Sequence, residues 1–164
     1  MFFRQAKVWA DRALFHVKRQ GHYVPISWRT AAEEVEAFAQ WLITQGVKPG
    51  DRVLILSENR PEWGIADLGT QAAGAWSVPL YPNLTAEGVL AVCKDCEPVI
   101  AIGSTPEQLQ KLRSAASACA SLRLIVAMET PPSAAGGQVS WTKIIEQGKD
   151  LAGNPALPQR LKAL

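Results

Sequence analysis

Near the start of the chain, apolar and polar positions are arranged as two β-prone runs around a polar turn. Residues 14–17 and 23–28 are β-prone runs that flank a polar turn at residues 19–21, which predicts a hairpin over residues 13–28. Pro25 lies in the second run and favours an edge strand or an irregular one, because proline cannot donate a hydrogen bond to a neighbouring strand.

The period then changes to that of a helix. Apolar side chains recur at helical intervals over residues 30–45 and predict an amphipathic helix. Thr30 and Glu33 have the spacing of a capping box at its start. Gly46 suits the position after its last turn.

Short apolar runs and helical patterns alternate through the rest of the chain. Strands are predicted at residues 52–57, 76–80, 99–102 and 122–127. Helices are predicted from Pro61 to about Ala73, from a cap at Thr85 to just before Pro98, from Ser104 to about Cys119 (Ser104 and Glu107 having capping-box spacing), and from Ser140 to about Lys149. A loop is predicted at residues 131–137, and the tail from Ala152 has the composition of a linker.

This order of elements predicts an α/β fold. Four short apolar strands joined by helices form a mostly parallel sheet with helices on both faces, preceded by the hairpin. Ligands of such sheets bind at the carboxyl ends of the strands. The candidate ligand-binding loops are therefore residues 57–61, 80–85, 102–106 and 127–140.

Composition excludes several classes of function. The 164 residues carry 17 basic and 15 acidic side chains, a formal net charge of +2 that is too balanced for a nucleic-acid-binding surface. No apolar run reaches the roughly 18 residues of a membrane span, and the first residues lack the apolar segment of a signal peptide. Three cysteines, an odd number, favour reduced thiols and a cytoplasmic location. Peripheral membrane association stays open.

Motifs that could carry chemistry are better explained by structure. Gly64, Gly69 and Gly74 are spaced by five in a predicted helix, which is no phosphate-loop pattern and indicates close packing. Gly136 and Gly137 indicate a flexible loop.

Side chains that bind metals or take part in redox chemistry are also few. Cys93 and Cys96 form a C-x-x-C at a helix end, where two reduced, partly buried thiols are favoured over a zinc site or a redox pair. His16 and His22 lie by the hairpin turn and are expected at the surface. One positive signal remains: the helix that Thr85 opens follows a parallel strand, and such an N-terminus favours anions.

Several stretches together resemble the N-terminal region of AMP-forming acyl-CoA synthetases. The resemblance covers roughly residues 1–130, with the segments in the family's order. The stretches are Ser27-Trp28, Gly46-Val47-Lys48-Pro49-Gly50-Asp51-Arg52-Val53, Ser57-Glu58-Asn59-Arg60-Pro61-Glu62-Trp63, Ala72-Ala73-Gly74-Ala75, and Val78-Pro79-Leu80-Tyr81-Pro82 with Leu84-Thr85. The stretch at residues 57–63 resembles the long-chain acyl branch in particular.

The resemblance implies a domain organisation and a reaction. Residues 1–150 would be the N-terminal subdomain of the AMP-binding domain, and residues 151–164 a linker toward the family's Thr/Ser/Gly-rich phosphate loop, which this chain lacks. The parent enzyme would use ATP, Mg²⁺ and coenzyme A to convert a long-chain fatty acid to its acyl-CoA through an acyl adenylate. No catalytic residue and no metal ligand are expected in this chain, so the chain alone is expected to be inactive.

The resemblance also implies a contact with coenzyme A. The family's loop corresponding to residues 81–85 lies near the coenzyme A nucleotide, so Tyr81, Asn83 and Thr85 are expected at its rim, with Lys94 as a source of positive charge. Some relatives have an arginine where Asn83 stands. Asn83 can still form hydrogen bonds but lacks the positive charge, which weakens the expected recognition of phosphate there.

Two alternatives remain open at this point. The chain could be a non-catalytic interaction or dimerisation module derived from this fold, or it could belong to an enzyme that adenylates another carboxylic acid. A sheet cut from its later segments would expose apolar surface or a bare strand edge, so self-association of the chain is expected.

Overall fold

The structure is a computed structural model that describes residues 1–129 and 138–163. Its elements are α1 (Phe2–Val8), β1 (Ala13–Arg19), β2 (His22–Ser27), α2 (Trp28–Thr44), β3 (Arg52–Leu56), α3 (Pro61–Ala72), β4 (Trp76–Leu80), α4 (Ala86–Cys96), β5 (Ile100–Gly103), α5 (Pro106–Ala116), β6 (Leu124–Ala127), β7 (Gln138–Ser140), α6 (Trp141–Asp150) and α7 (Ala156–Ala163). The loop predicted at residues 131–137, with Gly136 and Gly137, lies outside the described residues. Within them, no helix is both long and apolar enough to cross a bilayer.

The predicted hairpin is confirmed. β1 and β2 pair antiparallel, with Arg19 opposite His22 across a two-residue turn. Both turn residues have left-handed backbones, with φ of 49° at Gln20 and 84° at Gly21, as a tight hairpin turn requires. His16 and His22 are exposed, as expected.

The predicted parallel sheet is confirmed and gains a fifth strand. Its order is β4-β3-β5-β6-β7, and every neighbouring pair is parallel. Only four strands were expected, because the three residues of β7 are too few to show a period. All carboxyl ends of the strands therefore lie at one edge of the sheet.

Each face of the sheet has its own hydrophobic core. Val53 and Ile55 of β3 pack with side chains of α2, α3 and α6, whereas Leu54 and Leu56 pack with those of α4 and α5. The four β3 side chains are fully buried. Helices therefore cover both faces, as predicted, and β3 is buried between the two layers.

Two predicted helix caps were wrong by one to three residues. α2 begins at Trp28, and its N-cap is Ser27, whose hydroxyl accepts a hydrogen bond from the Thr30 amide. α5 is capped by Thr105, not by Ser104, which lies buried one residue earlier. Serine and threonine cap by the same chemistry, so neighbouring candidates cannot be separated by spacing alone. The predicted cap at Thr85 is confirmed, since its hydroxyl accepts from the Gly88 amide.

The tail that was predicted to be a linker is partly helical and packs against the core. In α7, Leu157 is 2% exposed. The guanidinium of Arg160 donates to the carbonyl oxygens of Ala73 and Val47 at 2.7 and 2.9 Å. Pro155 and Pro158 give the segment its linker-like composition, but proline is tolerated in the first turn of a helix.

The glycine series in α3 has the structural role that was predicted, with one correction. A Cβ at Gly69 would lie 2.7 Å from Phe38 Cδ1 and 3.1 Å from the Val35 carbonyl oxygen, so Gly69 allows α3 to approach α2 closely. Gly74 lies beyond the end of α3, and its φ of 79° suits the left-handed turn that closes the helix.

The contact between α2 and α6 depends on another glycine, Gly148. A Cβ there would overlap the backbone of Ala37, including its carbonyl oxygen. We predict that Gly148→Ala lowers the free energy of unfolding by roughly 2–4 kcal/mol, because backbone cannot move aside as a flexible side chain can. Urea unfolding followed by circular dichroism measures the change. Gln147→Ala, an exposed neighbour on α6, is the control, and equal midpoints for the two variants would contradict the prediction.

Candidate functional site

The carboxyl ends of four parallel strands bring polar residues together at one edge of the sheet. The segments after β3, β4, β5 and β6 begin with Ser57, Tyr81, Ser104 and Met128. They begin the loops that the sequence predicted as ligand-binding, and residues 130–137 of the predicted loop 127–140 lie outside the described residues. The Ser57 hydroxyl donates to Met128 Sδ at 3.5 Å, so the ends of β3 and β6 are in contact.

A cleft opens beside the ends of β3 and β4. It has a volume of about 300 Å³ and is lined by Ser57, Asn59, Trp63, Pro79, Leu80, Tyr81 and Pro82. A second groove of about 560 Å³ lies between the hairpin and the start of α3, and Asn59 and Trp63 line both spaces. The cleft therefore combines an apolar wall with a few polar groups, as small-molecule sites do.

Glu58 is the centre of a hydrogen-bond network at this edge. Its carboxylate accepts from the buried Ser104 hydroxyl on one oxygen and from Gln108 Nε2 at 3.2 Å on the other. Burial raises the pKa of Glu58. The hydrogen bonds from Ser104, its own amide and Gln108, with the charge of Arg60, outweigh that effect and hold the pKa below its ordinary value. Glu58 is therefore a charged acceptor that joins β3 to β5 and α5.

Arg60 is a second charged junction. Its guanidinium binds both carboxylate oxygens of Glu62, at 2.9 and 3.3 Å, and one oxygen of Glu129 at 3.0 Å. Burial raises the pKa of Glu62, but the hydrogen bonds and charge of Arg60 outweigh it and keep the pKa below its ordinary value. A bidentate arginine of this kind fixes the segment after β3 to that after β6.

The four residues predicted at a coenzyme A rim fall into two groups. Tyr81, Asn83 and Thr85 are exposed along one loop, and the Tyr81 side chain is 80% exposed. The Thr85 hydroxyl caps α4. Lys94 lies in the last turn of α4. It lies nine positions after Thr85, about 13 Å along the helix axis, so the structure does not bring Lys94 to the loop.

The cation beside this loop is one that the sequence reasoning missed. Lys111 of α5 donates from Nζ to the Pro82 carbonyl oxygen at 3.1 Å and to Glu107 at 3.0 Å. It is 29 residues from Pro82 in sequence. The helical pattern placed Lys111 on α5, but no local signal could indicate which face of that helix meets the loop.

The cysteines behave as the predicted structural thiols. Cys93 and Cys119 are buried, and Cys96 is half-buried. Burial, together with the neighbouring thiols, raises the pKa of Cys93 to about 12, so this thiol is not a nucleophile near neutral pH. Across residues 1–129 and 138–163, no cluster of three or more His, Cys, Asp or Glu side chains is arranged to hold a metal ion.

The Arg60–Glu62 pair gives a pH-dependent prediction. A lowered folded-state pKa makes Glu62 stabilising above its ordinary value of 4.5, and that contribution is lost as the pH falls through the folded value. Glu62→Gln should therefore lower stability by about 1 kcal/mol at pH 7. The difference from wild type should shrink below pH 4.5.

Urea midpoints at pH 7 and at a pH below 4 measure this change. Glu36→Gln, on the exposed face of α2, is the control and should differ little from wild type at either pH. A Glu62→Gln deficit that stays the same at both pH values would contradict the assignment.

The chain matches known proteins along nearly all of its length. Residues 2–161 match the family described as AMP-binding enzyme. The chain is 30% identical over 165 residues to the long-chain-fatty-acid–CoA ligase FadD15 of Mycobacterium tuberculosis, covering 100% of this chain and 26% of that protein. It is 35% identical over 144 residues to long chain acyl-CoA synthetase 7, peroxisomal, of Arabidopsis thaliana, covering 81% of this chain and 20% of that protein. The chain thus spans about a quarter of the length of these relatives or less.

Solved structures show the same fold. The anthranilate CoA ligase AuaEII in complex with anthranoyl-AMP superposes with a TM-score of 0.78 at 21% identity, over 89% of this chain and 27% of that chain. The A domain of carboxylic acid reductase from Segniliparus rugosus, in complex with AMP and a carboxylic acid, gives 0.77 at 18% identity, over 90% of this chain and 29% of that chain. The fold and the match over residues 2–161 agree, and the chain belongs to the AMP-binding enzyme family.

Proposed function

We propose that this chain is the N-terminal subdomain of an ATP-dependent, AMP-forming acid–CoA ligase that acts on long-chain fatty acids. The observation that carries the proposal is the match of the whole chain to a long-chain-fatty-acid–CoA ligase, FadD15. The position of the cleft at the carboxyl ends of parallel strands supports it, because small ligands bind there in open α/β sheets. Residues 1–150 would form the subdomain, and residues 151–164 would lead toward the phosphate loop.

The proposed reaction has two steps. A carboxylate oxygen of the fatty acid attacks the α-phosphorus of ATP, and pyrophosphate leaves with Mg²⁺ neutralising its charge. The thiolate of coenzyme A then attacks the acyl carbon, and AMP leaves with the bonding electrons. The proposed contribution of this chain is a wall of the cleft and a rim for coenzyme A, with the enzyme in the cytoplasm.

The isolated chain should not catalyse the first step. Its sequence has no Thr/Ser/Gly-rich segment ending in Pro-Lys-Gly to hold the ATP phosphates. We predict no palmitate-dependent exchange of pyrophosphate into ATP by the 164-residue chain, whereas the ligase that contains it exchanges. Exchange by the chain above a heat-treated blank would contradict the proposal.

A coenzyme A rim at residues 81–85 is part of the proposal. Tyr81 offers an exposed ring for stacking, Asn83 an exposed amide, and Thr85 the start of a helix whose N-terminus favours phosphate. Positive charge comes from Lys111, whose Nζ lies at the same loop, rather than from Lys94.

A negative charge introduced into the loop tests this rim. In the ligase, Asn83→Asp should raise the KM for coenzyme A roughly fivefold to tenfold by repelling phosphate, while the KM for ATP stays within about twofold. Lys94→Ala, at the far end of α4, is the matched comparison and should leave both constants unchanged. An unchanged KM for coenzyme A in Asn83→Asp would remove the rim from the proposal.

The interaction-module alternative rests on the outermost strand of the sheet, β4, and not on the strand ends that line the cleft. β4 has a single strand neighbour among the described residues, and Trp76 on it is 67% exposed. Self-association of the isolated chain through this edge is therefore part of the proposal. Light scattering of the isolated chain tests self-association. Sequencing the coding region beyond Leu164 separates a ligase from an interaction module, because only a ligase needs the phosphate-loop motif there.

A further inference from the structure

The loop at residues 81–85 follows an edge strand and needs support from elsewhere. β4 pairs only with β3 in the described sheet, so no strand flanks the loop on its outer side. Within the loop, the Leu84 amide donates to the Tyr81 carbonyl oxygen at 3.1 Å, which closes a single turn. One turn at the end of an edge strand does not by itself fix the direction in which the loop points.

Two side chains of helix α5 support the loop, and both donate to the same carbonyl oxygen. The Pro82 carbonyl oxygen accepts from Gln108 Nε2 at 3.0 Å and from Lys111 Nζ at 3.1 Å. In the part of the chain that the structure describes, these are the hydrogen bonds by which another element's side chains hold the loop. Lys111 shares its ammonium with the exposed Glu107. Gln108, in contrast, is 3% exposed.

The second hydrogen bond of Gln108 ties the loop to the next strand end. The same Nε2 donates to Glu58 at 3.2 Å, and Glu58 is held in turn by the buried Ser104 hydroxyl. Gln108 therefore links the segments after β3, β4 and β5. Because one amide nitrogen serves two acceptors, its direction is set by the geometry of both.

The buried amide of Gln108 lowers the stability of the fold. The Oε1 atom of Gln108 is buried and has no hydrogen-bond partner among the described residues. An unpartnered buried polar atom destabilises a fold, and a leucine of similar size would avoid that cost. What the amide adds is direction, which a leucine cannot give.

We propose that Gln108 is a positioning residue: with Glu58 as its anchor, it holds the Tyr81–Pro82 turn in the orientation that receives the coenzyme A nucleotide. The inference rests on the coenzyme A rim of the proposed function. Gln108 acts through the Pro82 carbonyl and does not itself touch the nucleotide.

Two variants remove the link from either end. Gln108→Leu deletes both hydrogen bonds that the Gln108 side chain donates. Glu58→Ala deletes the anchor at an exposed position. Glu58→Gln keeps an acceptor oxygen for Gln108, so this variant should hold the loop nearly as well as wild type. Gln110→Leu, on the exposed face of the same helix, is the control.

The first measurement is independent of activity. Hydrogen exchange of the Leu84 amide, followed by NMR in the 164-residue chain, reports opening of the 81–84 turn. We expect exchange roughly fivefold to tenfold faster in Gln108→Leu and in Glu58→Ala, as the loss of about one hydrogen bond implies. The double variant should be no faster than Gln108→Leu alone, because Glu58 acts through Gln108. Unchanged exchange in both single variants overturns the inference.

The second measurement separates the inference from the function on which it rests. In the ligase, Gln108→Leu should raise the KM for coenzyme A roughly threefold to tenfold, with palmitate-dependent pyrophosphate exchange within about twofold of wild type. Faster Leu84 exchange with an unchanged KM overturns the coenzyme A rim, although Gln108 still holds the loop. If pyrophosphate exchange falls by the same factor as the KM for coenzyme A rises, Gln108 has a general structural role and the positioning role is overturned.

Discussion

Parallel pairing of β3 with both of its neighbours is the constraint on which the rest of the structure depends. Leu54 of β3 lies opposite Val78 of β4 and Ala101 of β5, so the three strands share one register. Both faces of β3 are buried, and each needs its own layer of helices. The same pairing places the segments after β3, β4 and β5 side by side. The cleft and the network around Glu58 are consequences of that arrangement.

The sequence predicted the elements whose signals are local. Strong apolar runs such as residues 52–56, and caps such as Thr85, carry their own evidence, so the sheet and its helices could be read directly. Elements stabilised by tertiary contacts could not. Leu157 and Arg160 hold α7 against the core, and Arg160 bonds to residues more than 80 positions earlier. The three-residue strand β7 is stabilised by its pairing with β6. α1 was not foreseen either; its Phe2 packs on Trp28, with ring centroids 5.6 Å apart.

The same limit applies to the site. Strand-end loops follow from the order of strands and helices, so the segments after β3 and β4 were expected to line a ligand site. Which side chains meet there was not predictable: Glu58 and Gln108 are 50 residues apart, and Pro82 and Lys111 are 29 apart. Lys94 was named as a possible source of positive charge because it shares a helix with Thr85, with an ordinary surface lysine as the alternative. Helix geometry carries Lys94 away from the loop, and packing of α5 brings Lys111 to it.

Glu58, Arg60 and Gln108 tie together the segments that follow the strands at one end of the sheet. The central proposal is that this end belongs to an acid–CoA ligase and that its exposed loop at residues 81–85 meets a nucleotide. The most direct test is to measure nucleotide products when the ligase containing this chain is given ATP, palmitate and coenzyme A. We expect AMP and pyrophosphate in amounts equal to palmitoyl-CoA, and no AMP or pyrophosphate when palmitate is left out. Formation of ADP, or nucleotide cleavage that does not depend on a carboxylic acid, would contradict it.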